Sequence, residues 1–203
     1  MARIESVEAL RAIYPEPGPA LWAKSIGHLD HHCRAWLALS PFCVVASQGA
    51  DGLGDANPRG DHPGFAVVLD DHTLLLPDRP GNNRLDTLRN IVANPAVGLI
   101  FLIPGFDDML RVNGLAEVRD DEDLRARTAF NGRLPATVIL VHVREAFIHC
   151  GKAVIRSRLW DPAAQVERKT FPSLGEIYKE HSRHPEPAIS DAALAEDYGR
   201  TLY

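Results

Sequence analysis

The chain is poor in cysteine and has no excess of positive charge, and each shortage excludes a class of protein. Three cysteines occur among 203 residues, at positions 33, 43 and 150, without CxxC spacing. Neither a disulfide framework nor a zinc ribbon is therefore indicated, and a reducing cytoplasm is the expected compartment. Lysine and arginine number 22 against 27 acidic residues, which gives a formal net charge of −5. A nucleic-acid-binding domain would be expected to be basic, so we predict that the protein does not bind nucleic acid.

Long apolar runs are also missing. No segment approaches the roughly 18 residues of a membrane span, and the first residues are acidic where a signal peptide has its apolar core. We therefore expect neither membrane association nor export. The hydrophobic content of 45% suits a globular chain with a sizeable core. We predict one domain over residues 1–203, with N-terminal helices over about 1–40 and a C-terminal helical tail over about 171–203.

Short β-rich runs occupy the middle of the chain. In order, they cover residues 42–47, 65–69, 73–76, 97–103, 110–119 and 137–149. Tight turns join most of these runs, which favours antiparallel hairpins over parallel crossovers. Helical spacing predicts one amphipathic helix over about residues 22–37 and further helices over 84–94 and 121–129. The pattern predicts a mainly β fold with flanking helices, in which six or seven antiparallel strands close into a small barrel.

The turn after residues 73–76 carries the clearest chemical signal. It contains Arg79 and leads into an amphipathic helix with apolar residues at 85, 88, 91 and 92. Asn83 is a candidate N-cap for this helix, and the free N–H groups and dipole of a helix start favour an anion. Arg79 and Arg84 add positive charge with bidentate geometry. The segment predicts a phosphate site, and the alternative is an exposed basic turn.

A second arginine lies in the predicted strand at residues 110–119. Because successive strand residues point to opposite faces, Arg111 shares a face with Asn113 and points away from Leu110 and Val112. That face is expected to be solvated or filled by a ligand.

Taken together, several of these motifs follow an order found elsewhere. They are Pro58-Arg59, Asp78-Arg79-Pro80-Gly81-Asn82-Asn83-Arg84, Asn94-Pro95-Ala96-Val97 and Leu110-Arg111-Val112-Asn113-Gly114. This order resembles the pyridoxamine 5'-phosphate oxidase-related FMN-binding split barrels, over roughly residues 25–165. A later segment, Cys150-Gly151-Lys152-Ala153 followed by Arg156-Ser157 and Leu159-Trp160, resembles a tail of one subgroup. The resemblance implies an antiparallel split β-barrel and a homodimer with two FMN molecules in the clefts between its subunits.

The same resemblance implies ten cofactor-binding residues. They are Asn57, Arg59, Arg79, Asn82, Asn83, Arg84, Arg111, Lys152, Arg156 and Trp160. Asn83 and Arg84 resemble the family's phosphate-binding helix start, with Arg59 as a further contact to the phosphate or the ribityl chain. Arg111 matches the arginine of the family's Arg-Val-x-Gly strand. The last three residues are expected to border the isoalloxazine ring, because the C-terminal part of one subunit often reaches the partner's flavin in this family.

Two departures from the family pattern argue against oxidation of vitamin B6. Met109 stands where true pyridoxamine-phosphate oxidases have glutamine in Arg-Gln-Val-Arg, and Arg156-Ser157-Arg158 lacks the histidine of their Arg-x-His element. The resemblance still implies an FMN-dependent oxidoreductase that works between a nicotinamide or small organic substrate and the flavin, without an identified catalytic acid or base. One alternative is a flavin-binding redox sensor without turnover, and another is the same fold with deazaflavin or haem.

Histidines and cysteines give weaker candidates. His28, His31 and His32 have the spacing to meet on one helix face, but we interpret them as surface groups and predict no metal. Cys43 lies within an apolar strand and is predicted to belong to the core. Adjacent residues 149 and 150 of a strand point to opposite faces, so His149 and Cys150 are not expected to form a nucleophile and base.

Overall fold

A computed structural model describes residues 3–183 and 189–203 and contains one seven-stranded antiparallel sheet flanked by helices. The strands are β1 (Phe42–Gln48), β2 (Gly54–Gly60), β3 (Val67–Asp70), β4 (Thr73–Pro77), β5 (Ala96–Leu102), β6 (Met109–Arg119) and β7 (Val138–His149). Their order across the sheet is β2-β1-β5-β6-β7-β4-β3. The predicted fold class, a mainly β split barrel with flanking helices, is confirmed. Complete closure is wrong, because β2 and β3 stand at the two ends of the sheet and are not paired with each other among the described strands.

Eight α-helices lie mainly at the two ends of the described chain. They are α1 (Val7–Arg11), α2 (Pro19–Ala23), α3 (His31–Leu39), α4 (Asp86–Ala93), α5 (Glu122–Arg127), α6 (Lys152–Ser157), α7 (Leu174–Ser182) and α8 (Asp191–Thr201). Side-chain caps start several of them, because a short polar side chain satisfies an otherwise free N–H group. Ser173 and Glu176 form a reciprocal capping box on α7, and Ser190 caps α8. Within the described ranges, no helix has the length and apolar character needed to cross a membrane.

The single helix predicted over residues 22–37 is wrong. The chain instead forms α2 and α3, and Ile26 between them pairs with Ala146 of β7 through two backbone hydrogen bonds of 3.0 and 2.7 Å. Asp30 starts a new helix by accepting a bond from the Cys33 N–H at 2.9 Å. Tertiary pairing with β7 therefore overrides the helical spacing of the apolar residues.

Strand β2 and helix α6 are absent from the elements predicted. The inward and outward positions of β2 carry polar residues and Pro58, so the strand lacks the apolar alternation that marks the other strands. Its whole length pairs with β1, from Gly60 opposite Phe42 to Gly54 opposite Gln48. A proline is tolerated here because β2 is an edge strand.

The core lies between the inner sheet face and helices α3 and α4. Its fully buried side chains include Leu29, Leu37, Val45, Leu74, Leu76, Phe101, Leu110, Val112 and Ile139. Burial of each large apolar side chain contributes about 1.5–3 kcal/mol. Ile91 anchors α4 in this core, whereas Val92, predicted on the same apolar face, is 80% exposed. Helix α4 packs against β1, β2 and β6, which holds its N-terminus beside β2.

The opposite sheet face, called the outer sheet face below, is formed by residues that point away from the core. It includes Phe42, Val44, Ile100, Arg111, Asn113, Leu115 and Phe147, which the register of β1, β5, β6 and β7 aligns. A β-bulge interrupts the β6–β7 pairing between Asn113 and Gly114. A Cβ atom on Gly114 would lie 2.3 Å from the His142 carbonyl oxygen, so this close approach of two strands requires glycine.

Candidate cofactor site

A cavity of about 720 Å³ opens between β2, the turn that joins β4 to α4, and residues 133–137. This volume lies within the range of small-molecule sites, roughly 300–1,000 Å³. Six of the ten residues expected at a cofactor line it, namely Asn57, Arg59, Arg79, Asn82, Asn83 and Arg84. The fold thus brings together residues expected to bind phosphate that lie in two segments of the sequence, 57–59 and 79–84.

The charge of the cavity is opposite in sign to that of the whole chain. The lining side chains that are charged at neutral pH are Arg59, Arg79, Arg84, Arg133, Asp78 and Asp86, four cations and two anions. The formal charge of the lining is therefore positive, although the whole chain carries −5. Clustered positive charge in a concave site attracts anions, even on an acidic protein.

Three buried side-chain atoms in the described residues lack a hydrogen-bond partner, and all three belong to residues that line this cavity. They are Nε of Arg59, Oγ1 of Thr87 and Oγ1 of Thr137. Buried polar groups are nearly always paired in native proteins, and an unpaired one costs about 1–3 kcal/mol. Each of the three can donate a hydrogen bond. A ligand rich in phosphate and hydroxyl oxygens, such as FMN, matches this donor set.

Arg59 is loosely held at the end of β2. Its Nη1 donates to the Pro58 carbonyl at 2.9 Å, and its Nη2 lies 4.0 Å from the Asp78 carboxylate, the outer limit of an ion pair. Burial raises the pKa of Asp78, and the charge of Arg59 offsets this rise only in part. The guanidinium therefore remains available to an anion in the cavity.

Arg79 is tightly held in the cavity wall. Its Nε donates to the Asp61 carboxylate at 2.5 Å, and its Nη2 donates to the Thr128 carbonyl at 2.9 Å. The Asp61 side chain is 1% exposed and also accepts bonds from the His62 N–H and the Tyr203 hydroxyl. Burial by itself would raise the pKa of Asp61, but these hydrogen bonds outweigh it and hold the pKa below 3.8. Arg79 is thus neutralised by Asp61, which the sequence interpretation did not select.

The predicted N-cap at Asn83 is wrong. Helix α4 begins two residues later, and its N-cap is Leu85, which has φ +60° and no side-chain capping bond. Asn83 also has a positive φ, +57°. These two left-handed residues turn the chain sharply, and a leucine in this conformation is strained. The first amides of α4 therefore have no side-chain cap, and Leu85, Asp86 and Thr87 all line the cavity.

Arg84 lies at the mouth of the cavity and is paired with a neighbour. Its Nε contacts the Asp86 carboxylate at 2.9 Å, and its side chain is 72% exposed. The Asn82 side chain accepts a bond from the Arg84 N–H at 3.1 Å, which stabilises the turn. Exposed ion pairs contribute little to stability, so an anion can replace Asp86 at small cost.

Arg111 lies outside the cavity, on the outer sheet face. Its guanidinium is 5.1 Å from the ring centroid of Phe147, and Nζ of Lys24 lies 5.0 Å from the same ring. Asn113 donates to the Glu145 carboxylate at 2.5 Å. The prediction that Arg111 and Asn113 share a face directed away from the core is confirmed.

Lys152, Arg156 and Trp160 are not among the residues that line the cavity. Lys152 and Arg156 are exposed on α6, where Nε of Arg156 donates to the Lys152 carbonyl at 3.1 Å. Trp160 donates from its indole N–H to the Phe106 carbonyl at 2.7 Å. Within one chain, this indole bond fixes the loop between β5 and β6.

The histidine and cysteine candidates occupy other parts of the fold. Asp30, His31 and His32 place one potential ligand atom each within 4.8 Å of one another. Asp30 already caps α3, however, and the positive end of a helix dipole disfavours a cation there. The core position of Cys43 is confirmed, and burial raises the pKa of its thiol to about 12.

Comparison with known proteins agrees with the fold. A variant of the HupZ protein of Group A Streptococcus is 18% identical, with 60% of this chain and 99% of that chain covered and a TM-score of 0.50. General Stress Protein 26 from Bacillus anthracis is 15% identical, with coverage of 58% and 93% and a TM-score of 0.43. An F420 reductase is 22% identical, with coverage of 57% and 94% and a TM-score of 0.41.

At 18% identity the likeness to the HupZ variant shows the fold alone, and no curated protein matches the chain. A family model described as pyridoxamine 5'-phosphate oxidase matches residues 29–150, more than half of the chain. The matched region includes β1 to β7 together with every residue that lines the cavity, except Tyr203. The chain belongs to the pyridoxamine 5'-phosphate oxidase family.

Proposed function

We propose that this protein is a homodimeric FMN-binding oxidoreductase that transfers electrons between the flavin and a nicotinamide or small organic substrate. One observation carries the proposal: the three unpartnered buried donors all belong to one positively charged cavity. Membership of a family that includes flavin-dependent oxidoreductases supports the same conclusion. Vitamin B6 oxidation is not proposed, because the two departures at Met109 and Arg156-Ser157-Arg158 remain.

The phosphate of FMN is assigned to the mouth of the cavity. A phosphate monoester carries about −1.5 to −2 at neutral pH. Arg59 supplies a guanidinium with a free Nε, and the first amides of α4 supply a helix start without a side-chain cap. Arg84 adds a second guanidinium when its exposed pair with Asp86 opens. These groups are sufficient to balance the charge of one phosphate.

The remaining donors are assigned to the ribityl chain. The hydroxyls of Thr87 and Thr137 and the amide of Asn57 face a chain of hydroxyl oxygens in this assignment. When bound, the flavin itself supplies the electron-transfer chemistry. The residues of the chain bind its polar end, orient it and exclude water, and none of them is assigned as a catalytic acid or base.

The outer sheet face is the proposed dimer interface. Phe42, Ile100 and Leu115 are each between 36% and 38% exposed on this face, and contiguous exposed apolar surface marks an interaction site. Pairing of two copies would cover these residues and would bring Arg111 to the cleft between the subunits. Lys152, Arg156 and Trp160 are proposed to border the isoalloxazine ring bound by the other copy.

A cytoplasmic location is part of the proposal. Cys33, Cys43 and Cys150 are all free thiols, and the first two are buried. Free thiols persist in a reducing compartment, where disulfides are rare.

An absorption spectrum of the purified protein is the first test, followed by heat release and mass identification of the chromophore. We expect the two near-ultraviolet and blue bands of oxidised flavin and the release of about one FMN per chain. A single violet band would instead assign a deazaflavin, and a sharp Soret peak would assign haem. A colourless protein that fails to take up added FMN would contradict the proposal.

Turnover separates an enzyme from a redox sensor. The holoprotein is mixed with NADH or NADPH under anaerobic conditions, and bleaching of the flavin bands is followed. Rapid bleaching supports the oxidoreductase, whereas a flavin that stays oxidised with both nucleotides favours the sensor. Free FMN at the same concentration serves as the control, because flavin outside the cavity should not bleach at the same rate.

A further inference from the structure

Tyr203 returns from the C-terminal side of α8 to the cofactor cavity and forms part of its lining. Its hydroxyl donates to the Asp61 carboxylate at 2.8 Å. Its ring centroid lies 4.7 Å from that of Phe130, and the Arg79 guanidinium lies 5.6 Å from the ring centroid. Arg133, another lining residue, donates to the Tyr203 carbonyl.

The rest of this C-terminal segment has little hold on the barrel. Helix α8 has no buried residue, and Tyr198 and Leu202 are 51% and 61% exposed. In the portion of residues 189–203 with described hydrogen bonds, other side-chain bonds stay within the segment, such as that from Arg200 to Asp197. Those that cross to the barrel are made by Tyr203.

The attachment point of Tyr203 is buried, whereas helix α8, which carries Tyr203, is exposed. Asp61 is almost fully buried and is fixed by Arg79, which is itself bonded to Thr128. One residue, through its phenol and its carbonyl, therefore connects an exposed helix to the wall of the cavity. A charge-assisted hydrogen bond of this kind is stronger than a neutral one, yet it can break without disturbing the core.

We propose that α8 and Tyr203 form a latch on the cofactor cavity, in which Tyr203 closes the cavity and controls entry and release of the cofactor. The inference rests on the proposed function, since it assigns the cavity to FMN. Closed on the barrel, Tyr203 covers one side of the cavity. Release of its bond to Asp61 frees α8 and opens that side to solvent.

The kinetics of FMN binding test the latch. Association and release are followed by flavin fluorescence in wild-type protein, Tyr203→Ala and Tyr203→Phe. Tyr203→Ala removes the ring and the hydroxyl of the latch, and it keeps only the carbonyl that accepts from Arg133. It is expected to speed both association and release about tenfold, so that Kd changes much less than either rate. Tyr203→Phe keeps the ring but loses the bond to Asp61, and an increase of about threefold is expected.

Tyr198→Ala is the matched control, because Tyr198 is an exposed tyrosine on the same helix. Its rates should equal those of the wild type. Faster release without faster association in Tyr203→Ala would overturn the latch and make Tyr203 an ordinary binding contact. Unchanged rates in Tyr203→Ala would overturn it as well, while the proposed function would stand.

Hydrogen exchange of the protein without FMN separates failure of the latch from failure of the proposed function. Amides of α8 are expected to exchange about tenfold faster in Tyr203→Ala than in the wild type, and those of β6 should be unchanged. Equal exchange of α8 in the two proteins would overturn the latch. Failure of the wild type to bind FMN would contradict the proposed function. Hydrogen exchange would then still test whether Tyr203 holds α8 on the barrel, because that measurement does not require FMN.

Discussion

The cavity and the outer sheet face both carry arginines expected at the cofactor, but their surroundings differ. Among the residues that line the cavity, Arg59 has an unpartnered Nε, and Thr87 and Thr137 have unpartnered hydroxyls. On the outer face, Arg111 lies over Phe147, and the neighbouring polar pair, Asn113 and Glu145, is already satisfied. The unpaired donors of the cavity would pair with acceptor oxygens of a ligand, whereas the outer face offers a surface that another protein molecule would cover. Arginines in the two regions are therefore suited to two different kinds of partner.

The two regions also hold their carboxylates differently. Asp61, beside the cavity, is 1% exposed and accepts from an arginine, a histidine and a tyrosine. Glu145, on the outer face, accepts from one neutral amide. The cavity wall is thus fixed before any ligand binds. In the proposed dimer, the outer face would be covered by a second copy.

The largest expected effect contrasts these two carboxylates. Asp61→Asn removes the charge that pairs with Arg79 and should lower the free energy of unfolding by about 3 kcal/mol, since loss of one partner of a buried pair is costly. Glu145→Gln keeps an acceptor for Asn113 and should cost less than about 1 kcal/mol. Denaturant unfolding of both variants measures the difference. Equal losses would mean that the two regions are equally rigid.

Acid should reduce the effect of Asp61→Asn. The pKa of Asp61 in the folded protein lies below its ordinary value of 3.8, so its stabilising contribution is present above about pH 4 and is lost as the pH falls through the folded pKa. The gap between wild type and variant should be constant from neutral pH to about pH 5 and should narrow as the pH falls below about 4. A gap that widens on acidification below pH 4 would contradict the assigned ionisation.

A charge on the outer sheet face should break the dimer and leave the cavity intact. Ile100→Lys places a cation opposite Arg111 in the register, and in a symmetric pair the change occurs twice. We expect the dimer dissociation constant to rise about 100-fold by sedimentation, because like charges would be buried together. Thr201→Lys, on α8 and away from this face, is the control. A variant that remains fully dimeric would place the interface elsewhere.

Arg59→Ala should weaken the cavity and leave the dimer unchanged. Loss of a hydrogen-bonded guanidinium removes about 1.5–3 kcal/mol, so FMN should bind about 10- to 100-fold more weakly. Arg89→Ala is the matched control, because Arg89 is exposed on α4 and does not line the cavity. Calorimetric titration with FMN gives both affinities. Equal affinities of the two variants would remove Arg59 from the site.

The smallest expected effect has opposite signs for affinity and stability. Thr87→Val removes an unpartnered hydroxyl, so the free protein should be stabilised by up to about 1 kcal/mol while FMN binds about 3- to 10-fold more weakly. Thr128→Val is the contrast, because the Thr128 hydroxyl already donates to the Arg125 carbonyl at 3.1 Å. It should lose stability without losing affinity. The same sign for both measurements in Thr87→Val would contradict a ligand-facing hydroxyl.

Much of the sheet could be predicted from sequence, because the apolar residues of five strands identify them as buried strands. These strands are β1, β4, β5, β6 and β7. Strand β2 was not predicted, because its side chains are mostly polar and show no apolar alternation. Its extended conformation is stabilised by pairing with β1. The helix at 84–94 was found, but not its start. Asn83 has the right chemistry for a cap, yet its left-handed backbone belongs to the turn.

The site was predictable where its residues are close in sequence and not where they are distant. Arg59, Arg79 and Arg84 stand in short motifs that a family resemblance can identify. Tyr203 meets Asp61 across 142 residues, and no local pattern reveals such a contact. The pairing of Arg79 with Asp61 is hidden for the same reason, because the two residues lie 18 positions apart.

Pro58 has a consequence for how copies of this protein can associate. It lies in β2, an edge strand of the sheet, and has no N–H to offer to a further strand. The other edge, β3, is four residues long. Both edges are therefore poor templates for another strand, which is how natural sheets avoid open-ended growth. This is consistent with the proposed pairing through the outer sheet face, in which association would end with a closed pair instead of a growing fibre.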